Sequence, residues 1–181
     1  MASALRRRLE ALGVKHAFVH DVFTDDFSAF DNGTTHLIAM AWNTKPGYKD
    51  DVEMNKHYAL ANARWIDEAK KRHIHITYLG TSDTSGFENC PYHEYKNSLD
   101  GMADVTLKIP YVWQPSREGS IAYLVNNNLP YRIFDPEKLV SYVTEEEIVY
   151  KILETIDSRG TFDLANKKAP LSYWINRFSR K

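Results

Sequence analysis

The chain has 181 residues, of which 43 % are hydrophobic and 26 % charged, and its net charge is -1. That length suits one domain with a sizeable core, and the near-neutral balance excludes a global field steering it to nucleic acid or an anionic membrane. Cys90 stands alone, which excludes an intrachain disulfide framework. No apolar run approaches the roughly 20 residues of a membrane span, and the N-terminus lacks the apolar core of a signal peptide, so a cytoplasmic protein is expected.

Taken in chain order, Ser3 to Leu12 reads as a short helix with Leu5, Leu9 and Leu12 on one face, ended by Gly13. His16 to Val22 is strand-like, and Asp31-Asn32-Gly33 is a turn signal. His36 to Trp42 is a continuous apolar run, as in a strand buried on both faces. The loop Asn43 to Asp51 leads into a long helix over Val52 to Arg72, with Met54, Tyr58, Ala61, Trp65 and Ala69 at helical spacing. Asp50 or Asp51 suits its cap. His73 to Leu79 alternates like a strand, and Gly80 to Pro91 is a polar loop. A helix is expected over Glu94 to Met102 and a strand over Asp104 to Ile109. Thr144 with Glu147 forms a capping box for a helix to Ile156, and a last helix starts near Pro170. Strands alternating with helices give an α/β class. The expectation is a Rossmann-like, mainly parallel sheet of about five strands with helices on both faces. One domain over 1–181 divides into an extension (1–34), a core (35–136) and C-terminal helices (137–181).

The segment Ala103 to Pro136 carries the chemistry signal. A buried strand runs into the turn Gln114-Pro115-Ser116, the step Gly119-Ser120 opens a helix, and Tyr131 to Phe134 reads as a second strand. Such turns lie outside the carboxyl ends of strands, where open α/β sheets bind ligands, and N–H groups at a helix N-terminus suit an anion. The pattern resembles the nucleoside 2-deoxyribosyltransferase-like superfamily, which includes deoxyribonucleoside 5′-monophosphate N-glycosidases. The resemblance covers roughly Thr35 to Pro136.

That resemblance implies N-glycosidic bond hydrolysis or deoxyribosyl transfer, without metal or redox cofactor. It places Ala41, Trp42 and Asn43 against base and sugar, and Ser116, Gly119 and Ser120 at a 5′-phosphate. Asp104 would hold neighbouring backbone. The family's catalytic Glu falls on Ala122 or Tyr123, neither a carboxylate. An oxocarbenium-like centre needs a carboxylate beside it. Glu118 is therefore the candidate, with Tyr123 assisting, and Glu94 and Asp100 are candidates for the second acid. Three readings stand: Glu118 has taken the role, the chain binds nucleotide without cleaving it, or the reaction differs. The second makes the chain a binding or sensor module. The expected partner is a small nucleoside or nucleotide, with no nucleic acid and no membrane, and the resemblance implies a homo-oligomer.

Other motifs carry less. His73, His75 and Thr77 would share one strand face, a two-histidine metal arrangement lacking a third ligand in register. His75-Ile76-Thr77 matches half of a 2H phosphoesterase signature, and no second half exists. Cys90-Pro91-Tyr92-His93 offers thiol and imidazole without an orienting acid. The aromatic C-terminus, with Tyr173, Trp174 and Phe178, offers a partner surface.

Overall fold

A computed structural model describes residues 1–19, 21–31, 33–42, 47–82, 90–118, 120–132, 135–165 and 167–179. Four strands form a parallel sheet in the order β1-β2-β3-β7: β1 (His36–Ala39), β2 (His75–Thr81), β3 (Val105–Ile109) and β7 (Gly160–Asp163). The order follows the chain. His36 lies opposite His75, Thr77 opposite Val105, and Val105 opposite Gly160.

Alternation along the strands fills both faces. Leu37, Ile76 and Tyr78 face α2 (Val52–Lys71), whose Trp65, Ile66 and Ala69 are buried. Ile38, Leu79, Val105 and Leu107 face α1 (Ala2–Ala11) and α5 (Glu145–Glu154), which contribute Leu5, Ile148 and Ile152. The capping box of α5 is present, with Thr144 Oγ1 accepting from Glu147 N and Glu147 accepting from Thr144 N. Two short pairs, β4 (Tyr111–Trp113) with β6 (Tyr142–Thr144) and β5 (Leu139–Val140) with β8 (Ala169–Pro170), stand beside the main sheet. They pack with α4 (Ile121–Asn126) and α6 (Leu171–Ser179) around Trp113 and Trp174.

Several expectations change. His16 to Val22 is not a strand among its described residues: no strand pairs with it, and Val22 instead accepts a hydrogen bond from Trp65 Nε1 at 3.0 Å. Tyr131 and Arg132 are likewise outside any strand, and 133–134 lie outside the described residues. The buried face of α2 holds the expected Ala61, Trp65 and Ala69, with Ile66 beside them, and adds Asn55, Ala59 and Asn62, while Met54 is exposed. The expected helix over 94–102 is α3, Pro91–Asn97, started by a proline in its first turn.

Gly80 sits in β2 beneath the end of α3. A Cβ there would meet Asp100 Oδ1 at 3.1 Å and Thr106 Cγ2 at 3.4 Å. Asp100 is ion-paired with Lys108 on β3 at 2.5 Å.

Candidate active site

At the carboxyl end of the sheet, α3 lays a phenol and an ammonium over the last residue of β2. Tyr92 and Lys96 are four positions apart, hence on one helix face, and Lys96 Nζ donates to Tyr92 Oη at 3.2 Å. Burial alone would raise the Tyr92 pKa. The charge of Lys96, a hydrogen bond from Thr81 and the Lys96 hydrogen bond outweigh it and hold the phenol below its usual range. Thr81 ends β2 and is buried. The lysine turn is fixed from below, where Tyr78 Oη donates to Lys96 O at 2.8 Å.

Aromatic rings wall this group. Trp42, just past the carboxyl end of β1, meets Tyr92 edge-on at 6.1 Å, and Lys96 Nζ lies 5.8 Å from the Trp42 ring centre. Tyr48 meets Tyr92 edge-on at 4.9 Å. Burial, with the neighbouring Tyr92, pushes the Tyr48 phenol up to about 12. Two buried asparagines of α2 hold this wall. Asn55 accepts from Trp42 Nε1 at 2.8 Å and donates to Tyr48 O at 2.6 Å, while Asn62 donates to Ala41 O at 2.9 Å. The first turn of α3 is tied to the same loop, Tyr92 N donating to Lys49 O at 3.1 Å.

Positive charge gathers at the rim. Burial lowers the Lys49 pKa, and the charges of Arg117 and Lys138 lower it further, against Cys90 and Asp50. Arg117 Cζ lies 5.9 Å from the Tyr48 ring centre.

Of the residues singled out from sequence, Ala41 and Trp42 lie at this site and Asn43 is outside the described residues. Ser116 and Glu118 are exposed on the turn after β4, and Gly119 is outside the described residues. Ser120 caps α4, its hydroxyl accepting from Tyr123 N at 3.1 Å and donating to Gln114 O at 3.3 Å. Tyr123 is half-buried on α4 and Ala122 is buried. Glu94 is exposed and Asp100 pairs with Lys108. Sequence reasoning missed Thr81, Tyr92, Lys96, Asn55 and Asn62. The available signal was a Tyr and a Lys at helical spacing just after a Pro, following a strand end.

The opposite end of the sheet gathers a second polar group. Asp104 Oδ2 accepts from Ile76 N at 3.0 Å and lies 3.7 Å from His75 Nδ1, and Arg159 is 3.6 Å from its Oδ1. His36 Nε2 bonds Asp157 at 3.1 Å, and the His36 and His75 rings are 5.5 Å apart. His73 precedes β2 with φ 55, so it does not share the strand face expected of it. Among the described residues no group of three His, Cys, Asp or Glu could hold a metal ion. A separate cleft of about 750 Å³ between α5 and β7 is lined by Glu146, Glu147, Tyr150, Lys151 and Phe162, not by Thr81, Tyr92 or Lys96. No helix among the described residues is long and apolar enough to cross a membrane.

No family model and no curated protein matches the chain. Solved structures do match in fold. The L780 UDP-rhamnose synthase of Acanthamoeba polyphaga mimivirus is 18 % identical with a TM-score of 0.66, over 92 % of this chain and 71 % of that one. A hypothetical dTDP-4-dehydrorhamnose reductase from Sulfolobus tokodaii is 12 % identical at a TM-score of 0.70, over 97 % and 76 %. A GDP-L-fucose synthetase from Naegleria fowleri bound to NADP is 10 % identical at 0.66, over 92 % and 75 %.

These matches overturn the deoxyribosyltransferase-like resemblance, and with it hydrolysis or transfer at an N-glycosidic bond, and they give the non-catalytic sensor reading no better support. The physical reason is that strand, polar turn and short helix recur in every open α/β sheet. The unit also departs from the pattern, since no carboxylate follows Ser120 in α4.

The nicotinamide dinucleotide held by the Naegleria protein does not fit the residues present. Its usual cradle is a glycine-rich strand-to-helix turn where strand order reverses. Here the nearest two glycines, Gly80 and Gly86, are six positions apart, and the described sheet runs in chain order without reversal. The N-terminus of α2 is acidic, capped by the Asp51 carboxylate (from Met54 N, 2.9 Å) with Glu53 in its first turn. That opposes a pyrophosphate. What the chain shares with these proteins is an α/β fold of Rossmann-like type, with a parallel sheet of four strands flanked by helices.

Proposed function

We propose that the chain binds a nucleoside-diphosphate sugar and works on a carbonyl or hydroxyl of its sugar ring. Reductase and synthase chemistry on such sugars is named for proteins that share this fold. The observation that carries the reading is the group of Tyr92, Lys96 and Thr81 at the carboxyl end of β2. A phenol held below its ordinary range by an ammonium and a hydroxyl is a proton donor and acceptor suited to a sugar oxygen. Lys96 keeps Tyr92 acidic, Thr81 donates to the phenolate, and Trp42 and Tyr48 limit water at the pair. Lys49, Arg117 and Lys138 bring positive charge to the rim beside Asp50, charge that a diphosphate would meet.

Titration calorimetry with UDP-, dTDP- and GDP-linked sugars tests this. One nucleotide class is expected to bind, Arg117→Ala to weaken it about tenfold, and Tyr92→Phe to bind equally without converting it. No binding by any of them overturns the reading.

A further inference from the structure

We propose that this site performs a redox-neutral proton transfer, enolising a keto-sugar carried on a nucleoside diphosphate, with no dinucleotide held by this chain. The inference rests on the function proposed above and narrows it. A reduction needs a hydride donor seated beside the proton donor. The side of the Tyr92–Lys96 pair that faces the end of β1 is instead filled by Trp42, fixed by its hydrogen bond to buried Asn55. Tyr48 closes the neighbouring side. The turn that would have to receive a pyrophosphate lacks paired glycines and leads into an acidic helix start. Both features oppose a dinucleotide, whose pyrophosphate would sit on that helix start; the diphosphate of a nucleotide sugar would lie instead against Arg117 and Lys138 at the rim, and the sugar ring packs its C–H face on indole.

The group that remains is complete for enolisation. A ring carbon next to a ketone carries an acidic C–H. The Tyr92 phenolate takes that proton: the C–H bond breaks, the phenolic O–H forms, and the electron pair moves into the enolate C=C with charge on the former carbonyl oxygen. The Lys96 ammonium, 3.2 Å from the phenol oxygen, is placed to meet that charge. Thr81 donates to Tyr92 in its ionised form. Return of a proton from Tyr92 to the same face of the carbon restores the ketone with its configuration kept, so the step is read as hydrogen exchange. No electron is gained or lost, so no oxidant or reductant enters.

The test uses the purified chain with UDP- and dTDP-linked 4-dehydro sugars in D₂O, without dinucleotide. Ligand binding is followed by thermal shift, and carbon-bound deuterium by mass spectrometry and proton NMR. Deuterium uptake about 100-fold above the buffer rate is expected. Tyr92→Phe should return it to the buffer rate with the thermal shift unchanged. A parallel titration with NADH and NADPH, read by nicotinamide fluorescence, should show no saturable binding up to millimolar concentration. Sugar binding without deuterium uptake, or micromolar binding of either dinucleotide, overturns this inference and leaves the proposed function standing. Failure of every nucleotide sugar to bind overturns both.

Discussion

The two ends of the parallel sheet both collect polar side chains, and they use them in opposite ways. At the amino end, Asp104 accepts from the Ile76 backbone and is flanked by His75 and Arg159, while His36 is taken up by Asp157. Those contacts tie together the starts of the four strands. At the carboxyl end, Tyr92, Lys96 and Thr81 bring a titratable oxygen, a cation and a hydroxyl to one point beneath aromatic rings. The first arrangement holds strands together, and the second surrounds one phenol oxygen with donors that favour its ionised form. A cluster of polar residues therefore says little until one asks whether its bonds end on backbone or on another titratable group.

Mutation separates the two ends, and the largest effect is expected at the phenol. Tyr92→Phe should lower turnover of a bound nucleotide sugar about 1,000-fold, within the range for a general acid or base, with a melting temperature close to wild type. Steady-state kinetics with a melting curve on the same sample checks both halves. A loss of fold stability with turnover retained would turn this end into a second structural cluster.

Lys96→Met is next, with turnover down about 100-fold and a displaced pH profile. In the wild type the limb reporting ionisation of Tyr92 lies below the ordinary phenol value of about 10. Without Lys96 the burial of the phenol, which raises its pKa, loses its largest opponent, so the limb moves to higher pH. A limb that stays in place would remove Lys96 from the proton machinery.

The amino end should respond in the other currency. Asp104→Ala leaves Ile76 N without its acceptor, which costs about 1–3 kcal/mol, while catalytic constants stay within twofold. Denaturant unfolding measures the first and the same assay the second. Thr144→Ala, far from both ends in function, removes the capping box of α5 and should cost about 1 kcal/mol.

Much of the frame was legible beforehand, because it follows from local rules. The run from His36 announces β1, the Asp51 cap and basic last turn bound α2, and the Thr144 box places α5. The failures have common causes. His16 to Val22 has strand-like residues, but a strand needs a neighbour; His16 and Phe18 lie instead against Glu10 and Arg6 of α1, and Val22 against Trp65 of α2. The helix stripe missed Asn55 and Asn62 because a periodicity count treats buried amides as breaks. Here their hydrogen bonds to Tyr48 O and Ala41 O are what make them buried. Tyr92 was hidden by its neighbours, since Cys90 and His93 drew attention to a thiol–imidazole pair. The pairing with Thr81 and Lys96 depends on how α3 lies across β2, which no window of sequence contains.

Gly80 makes one more consequence concrete. Its missing side chain leaves clearance for Asp100, the residue that closes the turn after α3 and pairs with Lys108. A methyl group there would press on that carboxylate, which would have to give by a few tenths of an ångström. The sheet glycine thus acts as a shim. One added methyl group on the strand beneath α3 would strain the contact beside which the Asp100–Lys108 pair is held.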